Sequence, residues 1–225
     1  MKKLFVKICI CMSMLAIAPL QAQDYFEGVV KYSVSYSPLH PDLSEEVLER
    51  EVGTRITALV KEDRYSMINN AKGKKGWRKV TVRLDEGYKY TEFQKSDTIY
   101  KEKLGTEAHT LLEFTRNKDP KKEILGKECE SITIHYQIED ATNGLLEYKG
   151  TYYFHPDYRL NPEFYKQDTD GFWNKYVAAS GALSLENHVT IPGFMEASQK
   201  VTAIEPKTIP DALFEPAVMK IIIEK

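Results

Sequence analysis

Apolar residues recur at every second position in three separate stretches of this chain, and that period commits it to a sheet with two unlike faces. In 26–36 (FEGVVKYSVSY), Phe26, Val30, Tyr32, Val34 and Tyr36 alternate with mostly polar neighbours, the spacing of a half-buried strand. Val80, Val82 and Leu84 repeat the pattern against Lys79, Thr81 and Arg83, and Ile132, Ile134, Tyr136 and Ile138 repeat it against Ser131, Thr133, His135 and Gln137. Between the runs lie turn-forming clusters: DEG at 85–87, KSD at 95–97 and ATNG at 141–144. The expectation is a mainly β fold: a curved antiparallel sheet or incomplete β-barrel, one face covered and the other partly wet.

Only two segments argue for helix. PDLSEEVLEREV at 41–52 offers Asp42 as N-cap with Glu45 three residues on, acids that suit the helix dipole, and an apolar stripe of Val47, Leu48 and Val52. GFWNKYVAAS at 171–180 could make two turns with Phe172, Trp173, Tyr176 and Val177 on one side. The stretch 155–170 holds two prolines and no clean period, so it reads as an irregular connection laid over part of the sheet.

The first two dozen residues fix an expected compartment. Lys2, Lys3 and Lys7 precede the apolar run Ile8 to Ala18, and Leu20-Gln21-Ala22 supplies a small-residue cleavage site. That order reads as a secretory signal peptide over 1–22, cleaved after Ala22, with one domain over 23–225. The run is far shorter than the ~20 residues of a bilayer span. Cys9 and Cys11 lie inside it, each after Ile, so no lipid-anchor cysteine is expected and the product is periplasmic or secreted. Cys129 is then the single thiol left, without a disulfide partner. The whole chain carries a formal charge of −2, and because three lysines fall in the leader the remainder is only mildly acidic, which argues against a nucleic-acid partner.

The chemistry-bearing residues form no catalytic motif. The five histidines, at 40, 109, 135, 155 and 188, show no i, i+4 pair. A site assembled from distant strands by His135, His155 and His188 stays open, but no metal and no cofactor is expected. There is no G-x-S-x-G elbow, and Cys129 sits between acids that would raise its pKa, at the start of a strand. AKGKKGW at 71–77 lacks the phosphate-loop spacing and reads as a solvated hairpin tip. Its functional alternative is an anion-facing loop in which Lys72, Lys74 and Lys75 meet lipid phosphate or a lipopolysaccharide head group while Trp77 sits at the boundary. A sheet with many aromatics and few helices to cover it can leave an apolar cavity. Tyr32, Tyr36, Tyr148, Tyr152 and Phe154, on the inward phase of strands 26–36 and 146–154, would line it, unless helices and loops fill the concavity.

FEGVVKY at 26–32, KKEILGKECES at 121–131 and IPDALFEP at 209–216 together resemble the small exported proteins of Bacteroidetes grouped as DUF4412 and the related GLPGLI proteins. The segment IPGFME at 191–196 only loosely echoes the GLPGLI signature. Those proteins are similar in fold to the periplasmic lipoprotein carriers LolA and LolB. The resemblance implies an incomplete barrel with helices across its mouth, and no catalytic residue. Three functions stay open on these grounds. One is a non-enzymatic binding module for a lipid, an acyl chain or a lipoprotein anchor, with contact to a membrane surface. The others are a metal-dependent hydrolase built from dispersed His and acidic residues, and an envelope protein-interaction scaffold.

Overall fold

The computed structural model describes residues 25–140 and 144–225; the leader expected at 1–22, and 141–143 of the turn expected at 141–144, lie outside the described residues. Twelve strands form one sheet: β1 (Gly28–Pro38), β2 (Arg55–Val60), β3 (Arg64–Asn69), β4 (Arg78–Arg83), β5 (Tyr88–Phe93), β6 (Thr98–Lys103), β7 (His109–Ile124), β8 (Lys127–Asp140), β9 (Gly144–Arg159), β10 (Ala182–Ile191), β11 (Met195–Pro206) and β12 (Ile221–Glu224). Their order is β12-β6-β5-β4-β3-β2-β1-β11-β10-β9-β8-β7, antiparallel at every step except the parallel pairing of β12 with β6. The mainly β class read from the alternation is the class observed. Among the described residues no helix is long and apolar enough to cross a membrane.

The sheet curls on itself. Val80 and Val82 of β4 and Tyr136 of β8 line one groove, although six strands separate β4 from β8 in the sheet order. Right-handed twist accumulates over so many strands. Bulges add local bends: Thr202 of β11 is an extra residue between the pairs Lys31↔Ala203 and Tyr32↔Val201, and the β9–β10 register shifts twice between Ala182 and Glu186. The result is an incomplete barrel whose inner face carries Val30, Tyr32, Val34, Tyr36, Ile56, Ala58, Val82, Ile132, Ile134 and Phe154, all buried.

Two short helices pack on this frame. α1 (Glu45–Val52) starts later than the sequence suggests, because His40 to Leu43 form a turn in which the Asp42 amide donates to His40 Nδ1. Ser44 is therefore the N-cap, its Oγ accepting from the Val47 amide at 3.3 Å. Leu48 is the buried residue of α1, and the Tyr36 hydroxyl donates to the Gly53 carbonyl at 2.8 Å, tying β1 to the helix end. α2 (Trp173–Ser180) buries Tyr176 and Val177 and ends at Gly181, whose φ of 60° is the left-handed conformation that a C-cap glycine adopts without a Cβ penalty. The connection at 155–170 is less irregular than expected. β9 runs on to Arg159 and carries Pro156 beyond Phe154, its last residue paired with β8, where no ladder donor is lost to that neighbour.

The outer face is not simply wet. Residues 207–220 cross it as a strap before β12 joins the edge. Ile209 and Phe214 bury against Val29 and Leu59 in a second small core. Polar clamps flank it: Glu27 accepts from the Ile209 amide at 2.6 Å, Lys79 donates to the Leu213 carbonyl at 2.9 Å, and Arg83 meets Glu215 at 3.0 Å.

Candidate functional site

Under the irregular segment 160–180 the concavity is not filled. Its deep part is a chamber of about 240 Å³. Tyr32, Ala58, Val60, Tyr65 and Met67 from β1 to β3 form one wall, and Leu183, Ser184, Asn187 and Gln199 from β10 and β11 form the other. Leu160, Tyr165 and Trp173 close it from above. The lining is mostly apolar, and several of its polar groups are engaged. The Tyr32 hydroxyl donates to the Ser184 carbonyl at 2.9 Å, and Ser184 Oγ is bonded to Asn187 Oδ1. Burial pushes the Tyr32 phenol far above its ordinary range, so it stays neutral.

A groove of about 330 Å³ adjoins the chamber and shares Tyr65, Met67 and Trp173 with it. Val80, Val82, Tyr136 and Tyr152 supply its apolar walls, and Arg78, Lys89, Asp168 and Asp170 its charges. Gly150 sets the posture of one wall. A Cβ there would stand 2.5 Å from the Tyr152 ring, so only glycine lets that ring fold back along β9. From this position Tyr152 meets Trp173 edge-on, centroids 5.8 Å apart.

The cover is held by aromatic and polar contacts. Tyr165 stacks on Tyr65 at 6.0 Å, and Trp173 stacks on Tyr176 at 4.3 Å. Phe172 sits at a φ of 61°, unusual for a side chain with a Cβ, and its ring packs on Tyr136 at 5.7 Å. Lys89 meets Asp170 at 3.2 Å and Glu102 at 3.5 Å, and Thr169 donates to Glu107 at 2.6 Å. Most telling is Asp168, 2% exposed, which accepts the Tyr65 hydroxyl at 2.8 Å. Burial raises its pKa to about 7, helped by Asp170 and Glu107 and opposed by the Tyr65 hydrogen bond and Lys89.

The sequence-nominated residues fall into separate places. Tyr32 lines the chamber and Tyr152 the groove. Tyr36 packs beneath α1, Phe154 is buried edge-on against Tyr176, and Tyr148 stacks on Tyr136 at 5.2 Å; none of the three lines either cavity. Lys72, Lys74 and Lys75 are exposed on the 71–77 turn, with Lys75 over the Phe93 ring at 4.7 Å. Trp77 points to the outer face, under Lys220 at 5.2 Å. The histidines stay apart: His135 pairs with Glu147 at 2.6 Å, His155 with Asp157 at 3.5 Å and His188 with Glu186 at 2.7 Å. Among the described residues no three His, Cys, Asp or Glu side chains converge as a metal cluster. Cys129 is fully buried in β8, and burial raises its pKa.

Sequence reasoning passed over Arg78, Asp168, Met67 and Ala58. Arg78 was findable, since it shares the inward phase of Val80 and Val82. Asp168 was not, because its partner Tyr65 lies 103 residues away.

No family model matches the chain, and no curated protein matches it. Among solved structures it is similar to an uncharacterized conserved protein from Thermus thermophilus, at 7% identity and a TM-score of 0.41, over 88% of this chain and 91% of that one. It is also similar to LprF from Mycobacterium bovis, at 10% identity and a TM-score of 0.35, over 82% of this chain and 89% of that one. Similarity at this level carries no argument about function.

Proposed function

We propose that this protein is an exported envelope protein that holds a hydrophobic ligand, without catalysis, in the concavity of its sheet. The observation that carries the reading is the apolar chamber continued by a groove, walled by strands from both halves of the sheet and covered by 160–180. The chamber alone is below the ~300–1,000 Å³ range of ligand pockets and the groove is at its lower edge, and the pair falls within it. The charge, apolar run and small-residue order of 1–22 supports export, and the resemblance to DUF4412 and GLPGLI proteins supports a carrier similar to LolA and LolB. A lipid, acyl chain or lipoprotein anchor is the ligand class that suits such walls.

Native mass spectrometry of protein purified from the envelope fraction tests both parts at once. A chain beginning at Gln23 with a co-purifying lipid is the expected result. In parallel, Ala58→Leu places extra methyl groups in the chamber, an overpacking tolerated there because the space is empty. It should abolish uptake of an environment-sensitive hydrophobic dye while leaving a cooperative thermal transition. Wild-type protein that carries no lipid and takes up no dye would overturn the reading.

A further inference from the structure

The groove that leads to the chamber carries Arg78, Lys89, Asp168 and Asp170, and among the described residues the side chain of one of them makes no direct hydrogen bond or ion pair. Lys89 is occupied by Asp170 and Glu102. Asp168 is occupied by Tyr65. Arg78 is different: among the described residues its guanidinium makes no hydrogen bond and no ion pair. Arg78 is exposed at the start of β4; Asp170 and Glu102 act on it only through longer-range attraction, and contact of the guanidinium with the groove wall lowers its pKa through partial desolvation. A guanidinium stays protonated at neutral pH all the same, with five donors in a planar fork that matches carboxylate or phosphate oxygens. Arg78 also borders a second hollow, of about 380 Å³, shared with Lys74 and Lys75. The cation therefore stands where the groove opens to a rim that carries Lys74, Lys75 and Glu51.

From this juxtaposition we infer that the ligand is a single-chain amphiphile with an anionic head, its oxygens bound by Arg78 and its tail directed along the groove toward the chamber. The inference rests on the hydrophobic-ligand reading and adds the chemistry of the head. The physical reason is that a tail laid along the groove removes water from beside Arg78, and a charge with less water around it gains more from an ionic partner than the same charge in open water. Carboxylate and phosphate heads share this chemistry. A ligand with a neutral head would leave the fork unpaired.

The test is displacement of a bound hydrophobic dye by three twelve-carbon chains, lauric acid, dodecyl phosphate and dodecanol, with inorganic phosphate as a fourth arm. Wild-type protein should prefer the two anions over dodecanol by ~10-fold or more in half-displacing concentration. In Arg78→Gln that preference should vanish while dodecanol displaces as before, and Arg78→Lys should keep part of it. Because the Arg78 side chain is exposed and makes no hydrogen bond or ion pair among the described residues, both variants should melt like wild type. The relative strength of lauric acid and dodecyl phosphate tells which head is preferred. Equal displacement by all three chains in wild type, or an anion preference that survives in Arg78→Gln, would overturn the inference and leave the hydrophobic site standing. Inorganic phosphate that weakens lauric acid displacement at low millimolar concentration would mark a small-anion site instead, and that outcome also overturns it. Absence of any dye uptake by wild type defeats both readings together.

Discussion

Asp168 shows what a single residue can report about the cover. Its carboxyl is ionised in the unfolded chain above about pH 4 but holds its proton in the fold up to about 7. Between those values the folded state binds more protons, so its stability falls as pH rises through the window; the contribution is complete below it and gone above it. Asp168→Asn keeps an oxygen to accept the Tyr65 hydroxyl and cannot ionise. Melting temperature should therefore fall between pH 5 and pH 8 in wild type and fall less in the variant, with a difference at pH 8 on the order of a few kcal/mol. Parallel melting profiles would show that Asp168 is solvated in the folded protein. At this scale the sequence was a fair guide only for side chains whose role is local. Tyr32, Tyr36, Tyr152 and Phe154 share an inward phase, and alternation puts all of them on the covered face. It cannot say which of them meets an empty space, since that depends on what lies opposite: the Tyr176 ring for Phe154 and the end of α1 for Tyr36.

Among the elements, strands were the most legible, because each β ladder rewards a period that a dozen residues already display. The helices were legible in kind but not in boundary. Whether Asp42 or Ser44 caps α1 was decided by a turn at His40–Leu43 that competes for the Asp42 amide. The strap at 207–220 was not legible as an element at all. It has no periodicity, and its anchors Ile209 and Phe214 make sense only against Val29 and Leu59, more than 140 residues earlier. Phe214 is fully buried, so Phe214→Ala should destabilise the protein by about 3–5 kcal/mol. Since Phe214 lies on the outer face, dye uptake by the folded fraction should be unchanged. Urea unfolding monitored alongside dye fluorescence checks both, and a loss of uptake without loss of stability would show that the strap shapes the chamber.

At the scale of the whole molecule the site belongs to no single segment. Its walls come from β1 to β5 on one side and β8 to β11 on the other, and its roof from 160–180. A ligand bound there touches elements that separate on global unfolding, so it should stabilise the whole chain. At 100 times its dissociation constant the gain should be about 2.7 kcal/mol. Thermal melts at increasing ligand concentration measure it, and Ala58→Leu should not respond; a wild-type melting temperature unmoved by a saturating ligand would place the binding elsewhere. The sequence by itself determined that this chain makes a largely antiparallel sheet with one apolar face, two short helices and no local catalytic motif, because those properties follow from the spacing of neighbouring residues. Only the tertiary structure decided that the face curls into a concavity, that the cover leaves a chamber beneath it, and that Arg78 stands at the mouth with no direct hydrogen bond or ion pair among the described residues. Each of these is set by groups that meet across six strands or a hundred residues, and no local period encodes such distances.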